Sequence, residues 1–347
     1  MTAPAPAPVA GTYVLYTPVL RSSHLERLAP LPGFRLLASG RHPDCDDVVL
    51  ARAPFPVLLA DHDAIEADLR ADPPVVLEVT EPLWTAQWAA SLRLADAVPG
   101  ALLATYAIEV LPHQAPDGWG RLDAVAFGSA ASARTYAQAC PGATWRGTVV
   151  EERRPRCPDC FPGVADGGGA PALPELVFAA ELSERKGIDL LMAAWDDVRP
   201  QGWRLRVLGW GPRTEQVRAW SEGRADVDVL VSADRAQVHE ALRRAAAVVL
   251  PSRRVDGWRE QIGLSLVEGL AHGCRLLTTD ETGLAEGLGA EHVVVEAGSR
   301  HALAQGLRAL GPPRAQKALP GADDDSRQQV QRWLAALGPE ALGPEAP

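Results

Sequence analysis

Basic charge is in short supply. The chain has 347 residues with 34 Lys and Arg against 44 Asp and Glu, a formal net charge of −10. Proteins that coat nucleic acid depend on clustered Lys and Arg, so no nucleic-acid partner is expected, and small molecules or other proteins are. Long apolar runs are also missing. None reaches about 18 residues, so no stable membrane insertion is expected. The opening Met1-Thr2-Ala3-Pro4-Ala5-Pro6-Ala7-Pro8 is too proline-rich for a signal core or a helix start. Cysteine is sparse and odd in number, at five. That argues against a disulfide scaffold and for a reducing, cytoplasmic setting.

What is present is apolar chain in plenty. At 47% hydrophobic and this length, two cores are affordable and two domains are the natural expectation. Short apolar runs alternate with amphipathic stretches. In the first half Val14–Tyr16, Val48–Leu50, Val57–Leu59, Val75–Val79, Ala101–Leu103 and Ala124–Phe127 read as strands. They are continuous rather than alternating, as strands buried on both faces are, which predicts a parallel sheet. In the second half strands near 176–179, 205–208, 227–231, 247–250, 275–278 and 293–295 alternate with helices near 187, 213–222, 235–246 and 263–272. Ile188, Leu191, Met192, Trp195 and Val198 share one face of the first of these helices. The fold class is therefore α/β: two Rossmann-like doubly wound domains facing a central cleft. The expected boundaries are a disordered tail at 1–11, an acceptor domain at 12–163, a linker at 164–175 and a donor domain at 176–320. A helix at 321–338, carrying Val330, Trp333 and Leu334, would pack back on the first domain, and 339–347 form a second loose tail.

Open parallel sheets bind ligands where βα loops present helix N-termini, and three loops of the second half have suitable residues. In Glu181-Leu182-Ser183-Glu184-Arg185-Lys186-Gly187 a lysine precedes a helix start, either a phosphate contact or a solvated loop cation. In Gly209-Trp210-Gly211-Pro212 two glycines permit a tight turn, for a nucleotide or as a plain strand-to-helix connection. In the third, Glu260 lies in the loop before a helix, Gln261, Ile262, Gly263, Leu264 and Ser265 lead into it, and Glu268 lies one turn inside. A diphosphate could sit on the backbone N–H groups between the carboxylates, one holding a ribose and the other sugar hydroxyls. Alternatively, both glutamates are ordinary helix acids.

In this order, Leu182, Lys186-Gly187, Gly209-Trp210-Gly211-Pro212, Pro251-Ser252, Glu260 through Glu268 with Ile262-Gly263-Leu264 inside, and Ala271-His272-Gly273 resemble the retaining nucleotide-sugar glycosyltransferases of family 4, of GT-B architecture. The resemblance covers about 176–296. It implies a nucleoside diphosphate sugar as co-substrate, no cofactor and no metal. It also implies Lys186 on the diphosphate, assisted by Arg185, Glu268 on the ribose, and Glu260 with the backbone of 261–265 on the donor sugar and phosphate. Glu260 and Lys186 are thus the expected catalytic pair, and front-face attack the expected route to retention. Two departures stand out. Glu181 occupies the family's usual arginine position, with Arg185, Arg253, Arg254 or Arg259 as possible substitutes, and Thr17–His24 replaces the usual Gly-Gly turn. In the first half the likeness is one of outline, through Thr105–Glu109, Asp123 and Ser129. Glu109, Trp84 and Ser22 are the candidates for the acceptor side.

Other motifs are set aside. Cys157-Pro158-Asp159-Cys160 has no second cysteine pair and supplies two ligands where structural zinc needs four, so it reads as ordinary thiols ahead of a disulfide or a zinc site. Asp61-His62-Asp63 reads as a loop edge, Asp323-Asp324-Asp325 as helix-capping acids, and His272 as a partly exposed helix-end residue. Trp88 and Trp119 read as core residues, with an acceptor platform as the alternative. The expected function is transfer of a sugar to a soluble small-molecule acceptor; an epimerase of the same architecture and a non-catalytic nucleotide-sugar binder are the alternatives.

Overall fold

Apolar runs buried on both faces set the architecture. The computed structural model describes residues 13–20, 33–42, 45, 47–51, 53, 55–79, 86–107, 119–150, 157, 160–161, 173–255, 259–260, 262–311 and 326–337. The chain divides into two units: Met1–Gly128, Ser132–Val150 and Ser326–Pro347 in one, Ser129–Ala131 and Glu151–Asp325 in the other. In the first, strands β1 (Tyr13–Thr17), β2 (Phe34–Ala38), β3 (Val57–Leu59), β4 (Val76–Val79), β5 (Leu102–Ala107), β6 (Ala124–Phe127) and β7 (Arg146–Val149) form a parallel sheet in the order β3-β2-β1-β4-β5-β6-β7. Strands β1 and β4 are buried along their whole length, as their unbroken hydrophobicity predicts. Helices α1 (Asp47–Ala51), α2 (His62–Ala71), α3 (Ala86–Ala97) and α4 (Ala130–Ala139) lie between strands in sequence. Val48–Leu50, expected as a strand, falls in α1. An apolar run this short carries no period that separates strand from helix, and Phe34–Ala38 takes the place beside β1.

The second unit repeats the plan. Strands β8 (Leu173–Ala179), β9 (Arg204–Gly209), β10 (Val227–Val231), β11 (Ala245–Leu250), β12 (Arg275–Thr279) and β13 (Val293–Val295) are parallel, in the order β10-β9-β8-β11-β12-β13. Helices α5 (Ile188–Val198), α6 (Thr214–Ser221), α7 (Arg235–Arg244), α8 (Leu264–Ala271) and α9 (Arg300–Ala309) fall between or after them. In both sheets the first strand of the unit lies beside the fourth, the doubly wound Rossmann order. On α5 Ile188, Leu191, Met192 and Trp195 are buried, while Val198 is only partly so. Trp195 donates its indole N–H to Asp226 at 2.8 Å.

Helix α10 (Ser326–Ala335) belongs to the first unit. Val330, Trp333 and Leu334 share a core cluster with Tyr13, Leu15, Phe34 and Leu36. The sequence places the domain break at 164–175, of which 164–172 lie outside the described residues, whereas the units divide between Val150 and Glu151. Cys157 falls in the second unit, where its N–H donates to the Ala271 carbonyl at 2.9 Å. Among the described residues, no helix is long and apolar enough to cross a membrane.

Candidate active site at the switch point of the second sheet

Strands β8 and β11 are neighbours, and the strand order runs outward from them in opposite directions. A crevice for ligands opens at such a switch point, beyond the carboxyl ends of the strands. The loops after β8, β9 and β11 meet there. Arg253 donates its N–H to the Arg185 carbonyl at 3.0 Å, Leu182 to Trp210 at 2.9 Å, and Arg213 to Leu182 at 2.9 Å. The glycines make this approach possible. A Cβ on Gly187 would stand 2.0 Å from the Pro251 oxygen, and one on Gly209 would stand 1.9 Å from the Ala180 oxygen. A Cβ on Gly211 would stand 2.7 Å from the Leu182 oxygen, and the Gly211 N–H donates to the Thr214 hydroxyl at 2.9 Å. The structure thus gives Gly209 and Gly211 a definite job: they bring two loops together.

The helices that start from these loops share a second property. Helices α2, α7 and α9 are capped by Asp61, Asp234 and Ser299 side chains. Helices α5, α6 and α8 have no side-chain cap, and α5 and α8 begin at Gly187 and Gly263 in the left-handed conformation. The leading N–H groups of a helix precede any intrahelical acceptor and carry partial positive charge. Uncapped helix starts beside a switch point suit an anion. Leu264 is exposed at the start of α8, whereas Ile262 and Ser265 are buried. Asp61, expected at a loop edge, accepts from the Ala64 N–H as an N-cap.

Lys186 and Glu260, 74 positions apart, form an ion pair, and the Ser252 hydroxyl donates to the same Glu260 oxygen at 3.0 Å. Ser252 and Glu260 are buried. Glu268 has a cation partner on α7. Its carboxylate pairs with Arg235, the first residue of α7, at 2.5 Å. Ser252 and Arg235 are the site residues that sequence reasoning missed: the first stood inside the Pro-Ser motif with no role, and nothing marked the second.

Glu181, at the position of the family arginine, pairs with Arg185, whose Nε lies 2.9 Å from the carboxylate. The other suggested substitutes are also paired: Arg253 with Glu184 and Asp189, and Arg254 and Arg259 both with Glu281. Each cation proposed to replace the missing arginine therefore has a carboxylate partner already. Ser22, Trp84, Glu109, Gln261 and Asp323–Asp325 lie outside the described residues, as does the side chain of Trp119, and Trp88 is buried in the first unit. His272, expected to be partly exposed, is 1% exposed. Its ring turns back onto the helix, with Nδ1 2.7 Å from the Glu268 carbonyl.

Residues 173–311 match the family described as Glycosyl transferases group 1. The match runs from β8 through α9, inside the second unit. Part of the chain is 31% identical over 119 residues to a glycogen synthase of Actinobacillus succinogenes, covering 33% of this chain and 24% of that protein. A glycogen synthase of Haemophilus influenzae is 33% identical over 113 residues, covering 32% and 23%. The chain thus spans about a quarter of the length of these curated relatives. Among solved structures, a glycosyltransferase from Rickettsia africae aligns with a TM-score of 0.69 at 12% identity, over 93% of this chain and 98% of that one. Anabaena HepE, solved with UDP and glucose, aligns at 0.66 and 13% identity, over 94% and 100%. The fold of this chain is the two-domain α/β fold of those glycosyltransferase structures.

Proposed function

We propose that the chain is a retaining glycosyltransferase that moves a sugar from a nucleoside diphosphate sugar to a soluble small-molecule acceptor without a catalytic metal. The observation that carries this reading is the Lys186–Glu260–Ser252 cluster beside uncapped helix starts at the switch point. Lys186 exchanges Glu260 for the diphosphate, which also rests on the N–H groups that open α8. The released Glu260 carboxylate orients hydroxyls of the donor sugar. Glu268, steadied by Arg235, accepts from the ribose diol. The acceptor oxygen then bonds to the anomeric carbon on the face from which the phosphate departs. The carbon–oxygen bond to phosphate breaks, and the acceptor proton passes to the departing phosphate oxygen. Preorganised N–H groups and Lys186 stabilise the charge that develops there.

A thermal-shift panel of UDP-, GDP-, ADP- and dTDP-sugars, led by the UDP-glucose that HepE suggests, is expected to reveal one stabilising donor. Incubating that donor with candidate acceptors is expected to release the nucleoside diphosphate and form an α- or β-product of the donor's own configuration. Product with inverted configuration would reject front-face transfer. The pairing of Glu181 with Arg185 favours a second reading, a binder without turnover. It would give calorimetric heat with the donor and no product with any acceptor, whereas an epimerase would convert the donor alone.

A further inference from the structure

We propose that Cys157, Cys160, His239 and His272 hold a structural zinc ion in the second unit, clamping the chain at Cys157 and Cys160 to helices α7 and α8. One ligand atom from each of the four residues lies within 4.8 Å of all the others. His239 Nδ1 stands 3.4 Å from the sulfur of Cys157 and 3.4 Å from that of Cys160, and His272 Nε2 stands 3.3 Å from the Cys160 sulfur. A tetrahedral ion with Zn–S bonds of about 2.3 Å and Zn–N bonds of about 2.05 Å separates sulfur from nitrogen by about 3.5 Å. These separations are close to the edges of that tetrahedron. Two sulfurs converging on one imidazole nitrogen make a poor hydrogen-bond pattern, since that nitrogen has a single lone pair or a single proton. A cation at the centre satisfies both.

The surroundings hold the ligands as a metal site requires. The Glu268 carbonyl can only accept, so the proton of His272 lies on Nδ1, leaving Nε2 unprotonated toward the sulfurs. His272 and Cys157 are buried, and the Phe161 ring packs edge-on to His272 at 5.9 Å between centroids. Backbone bonds hold the cysteines in place: the Cys157 N–H donates to the Ala271 carbonyl, and the Phe161 N–H to the Cys157 carbonyl at 3.0 Å. None of the five cysteines is in a disulfide, so Cys157 and Cys160 are not spent on one. Two thiolates and two imidazoles suit Zn(II), and four protein ligands leave no open position for catalysis. The ion is therefore separate from the transfer chemistry. It would secure the carboxyl end of α8, the helix whose other end opens the candidate donor site. The second half of the ligand set was invisible in the sequence because a paired Cys-x-x-Cys was the pattern sought, and these histidines stand 79 and 112 positions from Cys160.

The test uses the full chain, expressed without a polyhistidine tag in zinc-supplemented medium. Elemental analysis is expected to find ~1 zinc per chain. Protein refilled with cobalt(II) is expected to show the strong visible absorption of a tetrahedral site and a sulfur-to-cobalt charge-transfer band. Cys160→Ser and His239→Ala should lose most of the metal, and Cys140→Ser, a thiol of the first unit, should keep it. If those variants fail to fold, the cobalt spectrum of the unaltered protein decides by itself. Protein lacking stoichiometric metal, a cobalt spectrum of octahedral oxygen ligation, or a mass two hydrogen atoms short from a Cys157–Cys160 disulfide would each overturn the proposal.

Discussion

At the scale of single residues, the candidate site is a contest among carboxylates for a small set of cations. Lysine is rare here: the chain has two, Lys186 and Lys317. Lys186 is held by Glu260 with its side chain 16% exposed, so its removal deletes a positioned charge rather than a solvated one. Lys186→Ala is expected to weaken donor binding by about tenfold or more and to lower kcat/KM by about a hundredfold, as loss of one preorganised charge does in water-poor sites. Calorimetry and initial rates measure the two. Glu181→Gln acts in the opposite sense. It releases Arg185 from a partly exposed pair, which is worth little to stability, and presents a cation to the phosphates. Donor affinity is expected to rise by about threefold, and the gain to shrink in high salt; equal affinity at both ionic strengths would show that Arg185 stays clear of the donor. Glu268→Ala is expected to cost about tenfold in donor affinity, the value of a charge-assisted bond to a hydroxyl pair. The identities of Lys186 and Glu260 were legible because loop order and residue type carry that information. The Arg235 partnership was not, since residues 33 apart on two helices meet only through the fold.

At the scale of elements, periodicity and loop chemistry decided what could be read. Trp195 and its apolar neighbours on α5 announced a helix by their period, and the continuous runs of β8, β9 and β11 announced buried strands by their regular alternation with helical stretches. Val48–Leu50 did not. The glycines at element ends carry the opposite kind of information, a conformation rather than a face. Gly263 has φ of 70°, and a Cβ there would stand 2.9 Å from a Leu250 methyl. Gly263→Ala is therefore expected to destabilise the chain by about 1–2 kcal/mol. It should also raise donor KM by tilting the start of α8. A denaturant titration reads the first effect and steady-state kinetics the second. The tie between α5 and the start of β10 makes a pH prediction. Burial pushes the Asp226 carboxyl up, but bonds from Trp195 and Arg224 outweigh it and hold the group below its ordinary value. A depressed carboxyl stabilises the fold at pH above its unfolded value, near 3.9, and that support is lost as pH falls through the folded value. Asp226→Asn should thus unfold more easily than the parent at neutral pH, with the difference narrowing below about pH 4.

At the scale of the whole molecule, composition did not locate the limits of the units. The Gly-Ala-Pro bias of 164–175 does not mark the limit of a unit: Leu173–Glu175 open β8, whereas membership of a unit follows contacts, and Cys157 and Phe161 make theirs with Ala271 and His272 at the end of α8. The same logic governs the last helix. After Asp325 the chain returns to the first unit, where Val330, Trp333 and Leu334 of α10, with Leu337 just beyond it, are buried in a cluster with Tyr13, Leu15, Phe34 and Leu36. That face of the first sheet therefore has part of its cover supplied by residues more than 280 positions later in the chain. Trp333→Ala should cost about 3–5 kcal/mol, the range for emptying a buried aromatic site. The loss should fall on one unit. Hydrogen exchange resolved by peptide is expected to speed up in β1 and β2 while β8, β9 and β11, whose core contains no residue of α10 among the described residues, keep their protection. Equal acceleration in both sheets would mean that the two units unfold as one, and that α10 stabilises the molecule as a whole rather than the sheet it covers.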